Sequence, residues 1–455
     1  MIPAVDVGAA IDGQRRNPVR MIVAVLGVLV MFLDGYDLNL LGYVAPALMQ
    51  EFGVGKAQFG ATISAGLMGF MAGAFLLCDL GDRFGRKRLV VAGVLLFGAL
   101  TLAAAASTSL TMLVILRFSA GVGMGGAIPN IIALNTEYAP ARARAAGIGV
   151  MFVGYSMGGA APGWAAGWLL PHYGWPAVFV AGGILPLLLL LPIVVLLPES
   201  IRYLSARDPA HPRIRATLAR LRPDLSLLPD TRFTSSEETK AGLPLAHLFK
   251  DGRAATTLLL WSAFVANLMA LLFVISWTPT LLAIDGIAPE RAAVIGTMFQ
   301  MGGALGSLLI GRFLDWLGIR AVVLAFVCAI PSVAAIGLFG TSEPALMALL
   351  FVAGFFAGGG QIGLNSIAGI CYPTFVRSTG VGWAFGIGRV GSIIGPLVGG
   401  ILIAAQLPVT GLYFCAAAPL FVSAASVALL GRAIRQSAGS AKAEHAAARA
   451  ARSSV

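Results

Sequence analysis

Apolar positions in this chain do not alternate with polar ones. They come in unbroken runs long enough to cross a bilayer, which takes about 20 residues of helix. Twelve such runs lie near 22–44, 58–79, 88–107, 111–133, 145–169, 176–197, 255–283, 292–313, 321–340, 345–367, 379–403 and 410–431. The lack of a period of two argues for helices and against barrel strands. A polar stretch from Pro198 to Arg253, broken by Pro209, Pro212, Pro223 and Pro229, separates six runs from six. The pattern predicts an all-α membrane protein with a six-helix bundle over 1–197, a linker loop over 198–254 and a second six-helix bundle over 255–435. The linker has a candidate surface helix at Arg213–Leu221, and the Ala/Ser/Arg-rich tail over 436–455 is expected to be disordered or loosely helical. The first run is too long for a signal peptide and lacks a small-residue cleavage site.

Composition agrees and excludes a soluble domain. Of 455 residues, 58% are hydrophobic and 11% charged, where soluble domains carry about 25% charged residues. The formal charge of +11 is decided by position. Arg15, Arg16 and Arg20 precede the first run, Arg83, Arg86, Lys87 and Arg88 follow the second, and Arg142 and Arg144 follow the fourth. Arg320, Arg377 and Arg432 lie at later even-numbered connections or the tail, while the opposite side has little beyond Lys56 and Arg291. This asymmetry predicts cytoplasmic termini in a multi-pass inner-membrane protein, with no nucleic-acid partner. Cys78, Cys328, Cys371 and Cys415 have no ligand spacing, so no metal is expected.

Enzyme signatures do not hold up. Gly121–Gly126 and Gly386–Gly391 satisfy GxGxxG without a strand before them, and Gly154–Gly158 satisfies GxSxG inside a predicted helix. The four histidines, His172, His211, His247 and His445, fall in loops or the tail.

The costly residues are charges inside the runs. Asp34 and Asp37 sit in the middle of the first. One carboxylate at the centre of a membrane helix costs about 2.5–3.5 kcal/mol, so two cost roughly 5–7 unless paired, protonated or wetted. Arg117 in the fourth run and Arg389 in the eleventh must likewise face protein or water. Each has two open readings, a buried ion pair with an aspartate or a contact to a bound anion. Asn39, Asn130, Asn267, Gln300, Gln361 and Asn365 lie at mid-depth, with Tyr36, Tyr155, Trp277 and Trp383 as aromatic candidates.

The chain also repeats itself. Asp315 follows Asp82, and Gly318 follows Gly85, at one and the same interval. Gly380, Gly382 and Gly391 follow Gly147, Gly149 and Gly158 at that interval again. It also separates Asn267 from Asp34, and Asn365 lies just two positions beyond it from Asn130. A shared register across unrelated features indicates a duplicated unit, hence two pseudo-symmetric bundles.

Leu80–Arg88 resembles the GxLaDRxGRR loop of the major facilitator superfamily, with Cys78 at the usual first glycine. Arg117–Gly123 resembles its fourth-helix RxxxGxG pattern. Four stretches resemble its aromatic acid:proton symporter branch: Asp34-Gly35-Tyr36-Asp37, Gly125–Asn130 with Glu137–Arg144, Pro198–Leu204, and Tyr372–Thr374 with Arg377–Gly391. The resemblance implies alternating access by twelve helices and a need for Asp34, Asp37 and Asp82 in uptake. It also implies a charged gate at Asp82, Arg83, Gly85, Arg86, Glu137 and, in the second copy, Asp315, where Trp316 and Ile319 replace basic residues.

The expected activity is proton-coupled uptake of an aromatic carboxylate. Asp34 and Asp37 are the candidate proton carriers, with no cofactor beyond protons. Arg389 is the first candidate for the substrate carboxylate, then Arg117, with Asn130, Asn267, Gln361, Asn365, Tyr36 and Trp383 as further candidate contacts. The expected partners are a small aromatic acid and the lipid bilayer, around a monomer. Alternatives are a carrier for a muconate-like dicarboxylate, a proton-driven exporter, or a sensor that binds without transport.

Overall fold

A computed structural model of the chain describes residues 4–14, 17–77, 80–224, 231–234, 248–250, 253–339, 342–372 and 377–453. The chain begins with β1 (Ala4–Asp6) and α1 (Val7–Asp12), followed by α2 (Pro18–Phe52), α3 (Lys56–Leu77), α4 (Leu80–Phe84), α5 (Arg86–Ala104) and α6 (Leu110–Tyr138). Then come α7 (Ala141–Tyr173), α8 (Trp175–Leu196), α9 (Ile201–Arg207), α10 (Pro212–Leu221) and β2 (Arg232–Thr234). The remainder is α11 (Ala254–Ile284), α12 (Pro289–Leu317), α13 (Arg320–Ile336), α14 (Glu343–Cys371), α15 (Arg377–Ala404) and α16 (Val409–Ser453). Helix ends follow local chemistry. Asn17 caps α2 by accepting from the Val19 N–H at 2.8 Å, Pro18 occupies the first turn, and Gly53 at φ 61° stops the helix.

Among the described residues, ten helices are long and apolar enough to cross a membrane. Two more stand in the same array: α13 is shorter at 17 residues, and α7 is long but diluted by seven glycines. Eight of these helices overrun their apolar runs at both ends, whereas α3, α5, α8 and α13 stop short of the run's second end, and α16 carries the tail backbone on to Ser453 as helix. Large exposed side chains such as Leu188, Leu191, Val195 and Phe421 lie on outer faces, where lipid rather than water is the solvent.

Helices pack by one scheme used twice. In the first half α2 packs on α7, α3 on α6, and α5 on α6 and α8; in the second, α11 packs on α15, α12 on α14, and α13 on α14 and α16. The halves meet through α7 on α12, α3 on α15, and α2 on α11. We call the end at which both termini emerge proximal. Contacts across the seam concentrate at the distal end, where the Ser64 hydroxyl donates to the Ile393 carbonyl at 2.8 Å. Gly42 lies against Ser276 and Gly60 against Pro396, both so closely that a Cβ would overlap backbone. The larger buried apolar cluster crosses the seam through Tyr43, Phe59, Phe273 and Trp277.

At the proximal end the N-terminal arm is clasped, which the hydropathy pattern did not announce. β1 pairs in parallel with β2 of the linker, Ala4 opposite Arg232 and Asp6 opposite Thr234. Val7, Ile11, Ile214, Leu218 and Phe233 are buried together in a cluster continuous with the first half. Gln14 Nε2 donates to the Tyr138 carbonyl and the Ala141 N–H to Asp12 Oδ1, both at 2.8 Å, so the arm grips the α6–α7 junction.

Replacing a buried Phe by Ala typically costs about 3–5 kcal/mol. Phe233→Ala is therefore expected to open the clasp, so that trypsin cuts the arginine-rich linker faster. The thermal unfolding of the membrane helices should change little. Limited proteolysis alongside a melting curve checks both.

Candidate functional site

Asp34 and Asp37 stand three residues apart on one helix, so their side chains diverge by about 60° and can face different partners. The structure uses that freedom. Asp37 is closed off by Arg117 of α6: Nη2 donates to Oδ2 at 2.6 Å and to the Asp37 carbonyl at 3.2 Å, while Nη1 pairs with Oδ1. The Thr101 hydroxyl of α5 lies 3.5 Å from Oδ1. Both charges are buried, 3% and 2% exposed. The planar fork suits this bidentate pairing, and Gly66 of α3 leaves room behind the guanidinium. The pair belongs wholly to the first half.

Asp34 is 1% exposed, and its Oδ1 has no hydrogen-bond partner among the described residues. The charges acting on it are Arg389 of α15, from the other half, and Asp37. Arg389 is half-buried and makes no ion pair with Asp34; its guanidinium lies over the ring of Phe70 of α3, 4.3 Å from the centroid. Tyr155 of α7 shares the electrostatic surroundings of Asp34 and Arg389 and reaches the amide of Asn39.

Two glycines bring this group together. A Cβ at Gly35 would strike the Tyr155 carbonyl, so α2 and α7 touch backbone to backbone there. A Cβ at Gly159 would meet Gln300 Nε2 and Asn39 Nδ2. Asn39 Nδ2 donates to the Gly35 carbonyl at 2.6 Å, but Asn39 Oδ1 and Gln300 Nε2 are buried without partners among the described residues. The seam thus holds an unpaired carboxylate, a half-buried cation, and an amide acceptor and donor with unused capacity.

The other expected residues are distributed differently. Asn267 Nδ2 donates to Gln361 Oε1 at 2.8 Å and Gln361 Nε2 to Asn365 Oδ1 at 3.1 Å, a polar chain inside the second half that leaves Asn267 Oδ1 without a partner among the described residues. Three expected contacts lie away from the Asp34–Arg389 centre. Tyr36 points to the opposite side of α2 from Asp34 and donates to the Val178 carbonyl at 3.0 Å in the packing against α8. Asn130 donates to the Gly126 carbonyl at 2.8 Å and abuts Gly81 near the proximal end. Trp383 stacks on Trp261 with centroids 6.1 Å apart, about 9 Å before Arg389 by the rise of the helix.

At the proximal loop, Arg86 Nη1 pairs with Glu137 Oε1, and Gly85 takes φ 103°, a conformation open to glycine. Glu199 joins them: its Oε1 accepts from the N–H groups of Lys87 at 3.0 Å and Ser200 at 2.9 Å, capping the start of α5. Arg83 and Asp315 are exposed. The side chain of Asp82, and Cys78, Pro373 and Thr374 entirely, lie outside the described residues. The residues that sequence reasoning did not reach are Phe70, one apolar residue in an apolar run, and Glu199, whose capping role needed the fold.

The family profile of the Major Facilitator Superfamily matches residues 27–342 and 284–454. The chain belongs to the major facilitator superfamily. It is 37% identical to a gallate transporter of Pseudomonas putida over 431 residues, 94% of this chain and 96% of that protein. It is also 37% identical to the 4-hydroxybenzoate transporter PcaK of Acinetobacter baylyi, over 88% of each. Among solved structures, a bacterial homolog of the human lysosomal transporter Spinster, inward-facing and unoccupied, superposes with a TM-score of 0.66 at 19% identity, covering 92% of this chain and 98% of that one. The superfamily member described here is a multi-pass membrane transporter and not an enzyme.

Removing one partner of a buried ion pair costs about 3–5 kcal/mol, because the other charge is left uncompensated. Arg117→Met should therefore destabilise the protein strongly, and adding Asp37→Asn should recover most of the loss. Arg389→Met should cost far less. Thermal unfolding in detergent distinguishes the three.

Proposed function

We propose that this transporter carries an aromatic carboxylate across the bacterial inner membrane together with a proton, by alternating access and with both termini cytoplasmic. The arginines at the proximal connections support that orientation. The printed substrates of its relatives, gallate and 4-hydroxybenzoate, support the substrate class.

One observation carries the mechanism: Asp34 and Arg389, contributed by different halves, act on each other electrostatically without an ion pair, whereas Asp37 is already neutralised by Arg117. With the site empty, Asp34 and Arg389 offset one another in charge. A substrate carboxylate that takes Arg389 removes that counter-charge, and a proton on Asp34 restores neutrality. Empty and fully loaded centres are both neutral. Anion alone leaves a net −1 and proton alone a net +1, and an uncompensated charge is costly within the membrane. Only the two neutral forms rock cheaply, and this couples the fluxes. The Phe70 ring carries the Arg389 guanidinium on one face, and Tyr155 shares the electrostatic surroundings of Arg389, so two aromatic side chains stand at the centre where an aromatic group would bind.

Arg117 is engaged by Asp37, which leaves Arg389 as the cation at the seam among the described residues. A single cation suits a monocarboxylate. One proton per monoanion makes transport electroneutral; each additional proton would add about 2.3 kcal/mol per 100 mV.

In proteoliposomes, Asp34→Asn is expected to abolish accumulation of 4-hydroxybenzoate or gallate under a pH gradient, acid outside, while retaining counterflow exchange. Accumulation equal to wild type would overturn the proton role. Arg389→Lys replaces a fork by a point charge and is expected to weaken substrate binding roughly tenfold, about 1.4 kcal/mol. A thermal-shift titration reads this, and an unchanged affinity would move the carboxylate off Arg389.

A further inference from the structure

On the outer surface, away from the seam, a groove of about 320 Å³ runs between α13 and α16. Arg320 and Arg432 line its proximal end, with Val323, Leu324, Val427 and Gly431 along its length. Both arginines are exposed, and neither forms an ion pair among the described residues. Leu324 is half exposed on a lipid-facing surface. Two unneutralised cations thus head an apolar channel that opens towards the acyl region.

The internal repeat gives the pair its meaning. At the repeat interval that relates the two halves, Arg320 matches Lys87 and Arg432 matches Glu199. In the first half these mates are joined, Glu199 Oε1 accepting from the Lys87 N–H at 3.0 Å. The second half brings its two residues together at the equivalent place, but the carboxylate has become a second cation. The first half supplies its own anion there, and the second half lacks it.

We propose that an anionic phospholipid fills this position, with its phosphate between the guanidiniums of Arg320 and Arg432 and an acyl chain along Val323, Leu324 and Val427. Guanidinium pairs suit the oxygens of a phosphate, and basic pockets between membrane helices near the interface accept anionic headgroups. The apolar groove below the charges commits the ligand to a lipid rather than a soluble phosphate.

The test uses the full-length protein in phosphatidylcholine nanodiscs doped with phosphatidylglycerol, with retained lipid counted by native mass spectrometry. Wild type is expected to retain phosphatidylglycerol over phosphatidylcholine. Each arginine should contribute roughly fivefold in affinity. Arg320→Ala with Arg432→Ala should therefore weaken retention by about 25-fold at unchanged melting temperature in lipid-free detergent. Arg432→Glu, which reinstates the first-half arrangement, should also release the lipid. Paired lysine replacements should keep most of it and report a folded site.

Equal retention by wild type and the double alanine variant, or no preference for phosphatidylglycerol in wild type, would overturn the proposal. So would complete displacement by inorganic phosphate, which would assign the site to a soluble anion. An equal loss in Arg213→Ala with Arg220→Ala would overturn it as well, by assigning retention to overall charge.

Discussion

The bidentate closure of Arg117 on Asp37 is the constraint from which the charge balance of the membrane interior follows. The carboxylates of Asp34 and Asp37 and the guanidiniums of Arg117 and Arg389 lie deep within the membrane helices, and low polarity forbids any of them an independent existence. Because one pair is satisfied entirely within the first half, it can move with that half as a rigid unit. The remaining carboxylate and guanidinium belong to different halves, so under the proposed alternating access their distance would change as the halves rock. In the proposed mechanism a static pair and a variable pair, built from the same two residue types, divide structural work from coupling.

Backbone-to-backbone contact makes this division possible. Where Gly35 meets Tyr155 and Gly159 meets Gln300 and Asn39, absent side chains bring helices close enough for buried polar groups to cluster. Membrane helices gain no hydrophobic advantage from associating, so close packing and polar contacts must supply it. The seam is dense with small residues for that reason, and its unused donor and acceptor on Gln300 and Asn39 are tolerable only where something polar can meet them.

Much of this was legible in the chain and some could not be. Run lengths foretold the twelve-helix array, and the constant repeat interval foreshadowed the repeated packing scheme, because the two are set by bilayer thickness and by duplication. The cost of Asp34 and Asp37 drew attention to α2, where both carboxylates are buried. Which way each side chain turns was not legible: Tyr36 sits between the two aspartates yet serves α8, since two residues of helix reverse its direction. Asn130 was expected at mid-depth and Trp383 as an aromatic contact, but each lies within four residues of one end of its own apolar run, which puts it near the proximal end of its helix. Phe70 had no signature, because an aromatic ring in an apolar helix differs from its neighbours only once a cation lies on its face. The clasp of β1 on β2 was invisible to hydropathy, being three residues of ordinary composition paired with three others far along the chain.

That clasp also has a consequence in time. The ribosome releases β1 first, and its partner strand only after all six helices of the first half have been made. Until then the arm has no strand to pair with, and its docking surface on α10 does not exist. The completed clasp therefore forms only once the first half has been synthesised in full. A chain that stalls before β2 is made holds an N-terminal strand with an open edge, the kind of edge that invites wrong pairing.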